Sequence, residues 1–227
     1  MKGVLISIQP KWCQLIADKK KVVEVRKTRP KLETPFKVYI YMTMGNTPKF
    51  IFDKNLEKHS IYEVEPATAN GRVVGEFICR EITEYRAEFT DLKYPDACHR
   101  KVCQNTIKRV EYDEEEGETF YRYETSNEED DPNNCKFLKD SCLTFNEVRK
   151  YIGKTFFDKP FYGWRISDLK IYDKPKELSE FKKAGFMTEE EWLFNLYPNT
   201  HCHYDAWAKK FDIDRPPQDW FFVEADK

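Results

Sequence analysis

The chain has no apolar run near the roughly 18–20 residues needed to cross a bilayer, which argues against a helical membrane protein. Its first residues, Met1-Lys2-Gly3, lead straight into a strand pattern without the apolar core of a signal peptide. Seven cysteines, an odd number, do not form a self-contained disulfide framework. The expectation is therefore a cytoplasmic protein with reduced thiols and no membrane partner. No glycine-rich phosphate loop is present, so a nucleotide-cradling turn is not expected. Ser167-Asp168 has no histidine nearby in sequence, which leaves a hydrolase triad unsupported. No internal repeat appears.

What the chain does have is size, rings and uneven charge. Its 227 residues suffice for a sizeable core, and 15% of them are aromatic. The net charge of −2 says little, because the charge is segregated. Between Lys19 and Lys31 lie seven basic residues against one acid, Glu24. Between Glu111 and Asp131 lie eleven acids against one base, Arg122.

Periodicity gives the elements. Val4–Ile8 reads as a buried strand, and Pro10 suits the first turn of a helix. Trp12, Leu15 and Ile16 fall on one stripe of that helix. Val23 and Val25 alternate with Glu24 and Arg26, a strand period that puts the charged pair on one face. Residues 37–42 and 71–85 are further strands, with Gly75 marking a bulge or a close backbone approach. Arg109–Tyr112 and Thr119–Tyr123 form a hairpin across an acidic turn. Thr144 and Glu147 make a capping box for a helix that Gly153 ends, and Thr188 with Glu191 opens another. Trp164–Tyr172 and Trp220–Val223 are strands. Residues 45–70 read as a loop with some local structure, the rest of 88–140 is harder to read, and Asn127–Asn134 is a charged, proline-containing loop within it. Strands with short helices between them indicate an α+β or small-barrel architecture rather than a doubly wound parallel sheet.

Ile8, Pro10, Trp12, Ile16, Lys21, Glu24, Val25 and Arg26 together resemble the opening of ASCH domains, which belong to the PUA-like superfamily. Gly71–Phe77 is similar to that family's central strand. Tyr162–Pro175 and Arg215–Trp220 are similar to the closing strands of its phage and prophage members. The likeness covers roughly residues 1–85, 140–182 and the last dozen. It implies a single domain over residues 1–227, built as a small PUA-like β-barrel with peripheral helices. Residues 86–139 would be an acidic insertion and 183–213 a helical one. It also implies RNA or modified-nucleoside binding in a cleft beside the first helix.

The binding residues expected are Trp12, Lys21, Glu24, Arg26, Lys27 and Trp164. Glu24 would accept from a base, Lys21 and Arg26 would hold a phosphate or carbonyl, and the tryptophans would stack. Lys19, Lys20, Lys27, Arg29 and Lys31 would follow a phosphate backbone. The alternative is an amidohydrolase of N4-acylated cytidine, or a ribonuclease, with Lys21 and Glu24 as the catalytic acid/base groups. Small family members use a Lys, a Thr and a Glu for the deacylation. Lys21 matches the lysine, but Glu24 stands at the threonine, where a carboxylate does not replace a hydroxyl nucleophile. Asp140 and Glu147 are the candidates for the family glutamate. A third reading is a phage interaction module whose acidic insert imitates nucleic acid and docks on a host protein.

Other groups are weaker leads. Cys98, His99, Cys103, Cys135 and Cys142 do not have tight zinc-ligand spacing, and His201-Cys202-His203 is a short loop cluster. No metal and no cofactor are expected. Glu76 and Glu84 are an even number of residues apart on one strand, so they share a face as a possible carboxylate pair.

Overall fold

The computed structural model describes residues 2–44, 69–92, 102–113, 117–123, 135–195 and 204–224. It divides into two compact units. One holds residues 1–17, 35–78 and 168–227, and the other residues 18–34 and 79–167.

In the first unit, β1 (Lys2–Ile8) pairs in parallel with β3 (Phe36–Met42), Val4 facing Val38, and antiparallel with β8 (Trp220–Glu224), Leu5 facing Phe221. Val4, Leu5, Ile6 and Ile8 are all buried, the near-continuous apolar run of a strand covered on both faces. A parallel neighbour needs a long crossover, and α1 (Pro10–Ala17) begins it. The buried residues of α1 are Pro10, Cys13 and Ile16. The expected stripe of Trp12, Leu15 and Ile16 is thus turned by about one position, leaving Trp12 and Leu15 half-buried. The core of this unit gathers Leu5, Tyr39, Tyr41, Val73, Tyr172 and Phe181. Residues 183–213 contain α4 (Glu189–Asn195) and α5 (Tyr204–Ala208). Here Phe186, Trp192, Tyr204, Trp207 and Phe211 pack ring on ring, with 4.7 Å between the Trp207 and Phe211 centroids.

Two long strands each give one stretch to each unit: β4 (Val73–Leu92) and β7 (Phe161–Lys176). Gly75 is the expected close approach, since a Cβ there would lie 2.5 Å from the Lys170 carbonyl oxygen.

In the second unit, β2 (Val23–Arg26) pairs antiparallel with β7, Glu24 facing Trp164. The later half of β4 pairs with β5 (Val102–Asp113), and β5 pairs with β6 (Glu118–Tyr123). This is the expected hairpin, longer than its sequence signal. Much of residues 86–139 is therefore regular strand, although 114–116 and 124–134 of the acidic segment lie outside the described residues. Two helices follow, α2 (Lys136–Ser141) and α3 (Phe145–Ile152). The α3 capping box is present, with Glu147 N–H donating to Thr144 Oγ1 and Thr144 N–H donating to Glu147. The core here collects Val23, Val25, Tyr85, Phe137, Val148 and Phe161.

The full strand order is β2-β7-β4-β3-β1-β8, with β5 and β6 branching from β4. The fold is mixed α+β. The closed barrel expected from the resemblance is not the arrangement of the described strands. Their order is an open path with β2 and β8 at its ends, and β5 and β6 branch from β4. Among the described residues no helix is long and apolar enough to cross a membrane.

Candidate functional site

The site is built around β2, within the second unit. All four residues of this strand are buried, the charged pair included. Val23 and Val25 face the core, so period two turns Glu24 and Arg26 to the opposite face. Glu24 sits between two cations. Lys21 Nζ is 3.4 Å from Glu24 Oε2, and Arg26 Nη2 is 3.0 Å from Glu24 Oε1. Lys21, Glu24 and Arg26 are only 2, 7 and 3% exposed.

A helix that gave no sequence signal completes the group. Lys21 Nζ also donates to the Ser141 carbonyl at 2.8 Å, and Val22 N–H donates to the Asp140 carbonyl at 2.8 Å. Both carbonyls belong to the last turn of α2, where helix carbonyls have no partner further along the helix and favour a cation. Cys142, in the left-handed region at φ 53°, closes that turn by donating its N–H back to Leu138 and Lys139. A six-residue helix without a capping side chain is nearly invisible in sequence, because it is held by tertiary contact.

Burial pushes the Lys21 amine below its ordinary value of 10.5. Glu24 and Cys142 pull it back up, and Arg26 pushes further down. A lysine of this kind accepts and returns a proton more readily than an exposed one.

Asp140 and Glu147, the candidates for the family glutamate, are otherwise engaged. Asp140 Oδ2 accepts from Arg165 at 3.1 Å, and Glu147 serves the α3 cap. Trp164 pairs with Glu24 in register and so shares its face of the sheet, but it is fully buried and offers no open face to a base. Lys27 is exposed, and its ammonium lies 5.3 Å from the Tyr151 ring centre. Trp12 belongs to the first unit, half-buried, with Lys11 Nζ 4.2 Å from its ring centre.

Glu76 and Glu84 lie in different units with different partners. Tyr172 Oη donates to Glu76 at 2.6 Å, while Arg86 is 3.4 Å from Glu84. No paired carboxylate is built from them. Cys98, His99 and His201-Cys202-His203 lie outside the described residues. Among the described residues no group of three His, Cys, Asp or Glu could hold a metal.

A hollow of about 270 Å³ opens on the Val23 side of β2. Its apolar lining is Val23, Tyr85 and Phe137, and Arg109–Glu81 and Arg165–Asp140 ion pairs flank it at 3.0 and 3.1 Å. Lys21, Glu24 and Arg26 do not line it.

No family model matches the chain, and no curated protein matches it. Solved structures are similar, two of which follow. The ASCH protein of Zymomonas mobilis aligns at 13% identity and a TM-score of 0.44, over 98% of this chain and 87% of that one. A point mutant of the Zymomonas mobilis protein aligns at 12% identity and the same TM-score, over 99% of this chain and 91% of that one. What this chain is similar to, over almost its whole length, is thus an ASCH protein, at an identity that transfers no activity.

Proposed function

We propose that the second unit binds RNA or a modified nucleoside through the Lys21–Glu24–Arg26 group. The observation that carries this reading is the burial of a carboxylate clamped between two cations on a four-residue strand. An exposed strand with surface ion pairs would gain little from such charges. A buried set holds its donors and its acceptor fixed, which suits the edge of a base: Glu24 accepts from an amino or imino group, and a cation donates to a carbonyl or phosphate. Lys19, Lys20 and Lys27 are exposed beside the group and add attraction for a polyanion.

Calorimetric titration with cytidine, N4-acetylcytidine and a short RNA tests the reading. Glu24→Gln keeps the shape and removes the charge, so it should weaken nucleoside binding by tenfold or more, on the order of one charged hydrogen bond. Equal binding by wild type and Glu24→Gln, with both folded by thermal melt, rejects it.

The lowered Lys21 amine favours a second reading, hydrolysis of an acylated cytidine or cleavage of RNA, with Lys21 and Glu24 moving the proton. Turnover of N4-acetylcytidine that rises with pH as Lys21 deprotonates, and that Lys21→Met abolishes, would establish it. No turnover of either substrate class over the same pH range dismisses it.

A further inference from the structure

From the outer surface of α3 and the turn after it, we infer a second nucleic-acid contact, a track for single-stranded chain. The inference rests on the reading of this unit as a nucleic-acid binder, but not on the Glu24 group. Phe145, Val148 and Ile152 bury one side of α3, and buried Phe156 continues that side into the following turn. Residues Arg149, Lys150, Lys154 and Lys159 are therefore turned outward, and all four are exposed. Of the acids in this stretch, Glu147 is committed to the helix cap, and Asp158 is the other.

Two aromatic rings share this surface. Tyr151 and Phe157 are 39 and 40% exposed, so part of each ring is open to solvent. Each ring has a cation beside it. Lys27 Nζ is 5.3 Å from the centre of Tyr151, and the Arg149 guanidinium carbon is 5.5 Å from that of Phe157. Phe157 is braced from the inside by Phe156, edge to face at 5.0 Å.

Exposed rings interleaved with cations suit one class of partner. Unstacked bases lie on the rings while phosphates meet the lysines and arginine. A duplex keeps its bases stacked inside and has no use for the rings. An acidic peptide would use the cations alone.

Fluorescence anisotropy with a labelled oligouridylate, over a salt series, tests this on the full chain. Tyr151→Ala and Phe157→Ala should each weaken binding roughly tenfold or more at an unchanged salt slope. Lys150→Gln and Lys154→Gln should each flatten the slope of log affinity against log salt by roughly 0.7. The lysines are exposed, so their variants should melt as wild type does; the ring variants lose some packing, Phe157 against Phe156, and are compared at a temperature where their melts show them fully folded. The track is overturned if the ring variants bind as wild type does. It is overturned equally if an RNA duplex of the same length binds as tightly, or if polyglutamate displaces the oligonucleotide as well as unlabelled oligouridylate does. Glu24→Gln separates the two sites: it should lower nucleoside binding and leave the oligouridylate salt slope unchanged. Loss of one behaviour without the other shows which of the two contacts fails.

Discussion

Strands β1 and β2 are both covered on each face, yet they are made of different material. In β1, Val4, Leu5, Ile6 and Ile8 are buried and all are apolar. In β2, two of four buried residues are charged. The first unit shows that this chain builds a doubly covered strand from aliphatic side chains without difficulty. Burial therefore does not explain Glu24 and Arg26. Taking such charges out of water costs several kcal/mol per ion, which their mutual attraction only partly or roughly offsets. Apolar residues of similar volume would serve the fold as well or better. The second unit carries a cost that the first strand avoids, and the binding of a polar ligand is the reason proposed for it.

The sharpest way to break this comparison is to remove the charges in two ways. Glu24→Ala leaves Lys21 and Arg26 buried without their acid, and should lose about 3–5 kcal/mol of stability in urea titration. Replacing all three at once (Lys21→Met, Glu24→Leu, Arg26→Met) should leave stability equal to wild type or above it, while nucleoside binding disappears. A triple variant as unstable as Glu24→Ala would mean that the fold itself needs the charges. The counterpart in the first unit is Leu5→Ala, which leaves a cavity at a residue with no exposed surface. It should cost about 2–5 kcal/mol, and the folded protein should bind nucleoside as before.

The same contrast decides how much was legible in sequence. The first unit announces itself: Val4–Ile8 is a dense aliphatic run, Pro10 starts its helix, and Thr188 with Glu191 writes the start of α4. Lys21, Glu24 and Arg26 were legible as a group because alternation with Val23 and Val25 puts the acid and the arginine on one face. Their burial was not, since charges on an alternating strand ordinarily mean solvent. Asp140 was legible only as a possible carboxylate, and the Asp140 and Ser141 carbonyls as partners were hidden, because α2 is short, has no capping side chain and is fixed by contacts from residues more than a hundred positions away. Trp164 looked like a platform because aromatic type does not reveal depth. Barrel closure was also beyond reach, because it depends on which strand edges meet, and period two describes only faces.

A smaller effect should appear in the pH dependence of stability. Burial lowers the Lys21 amine in the folded chain, while the unfolded chain keeps the ordinary value of 10.5. Between those two values the unfolded chain holds a proton that the folded chain has released. Stability then rises with pH across that window, and below it the full penalty of burying the ammonium applies. The signature is a difference: urea midpoints of wild type should rise relative to those of Lys21→Met from neutral pH toward the onset of tyrosine ionisation. Parallel curves would mean that Lys21 keeps an ordinary amine, and the contrast between β1 and β2 would lose its electrostatic part.

The smallest expected effect tests whether the first unit is scaffold only. Thr188 caps α4, accepting from Glu191 N–H at 3.2 Å, while Glu191 Oε2 accepts from Thr188 N–H at 3.1 Å. Both groups are exposed, so water takes over much of the lost hydrogen bonding when the threonine hydroxyl is removed. Thr188→Ala should therefore cost about 1 kcal/mol, well below the loss at Leu5 or Glu24. The cap and β2 belong to different units, so nucleoside affinity and the oligouridylate salt slope should match wild type. A cap variant that weakened nucleoside binding more than it lowered stability would place part of recognition in the first unit, and the division of labour drawn from β1 and β2 would fail.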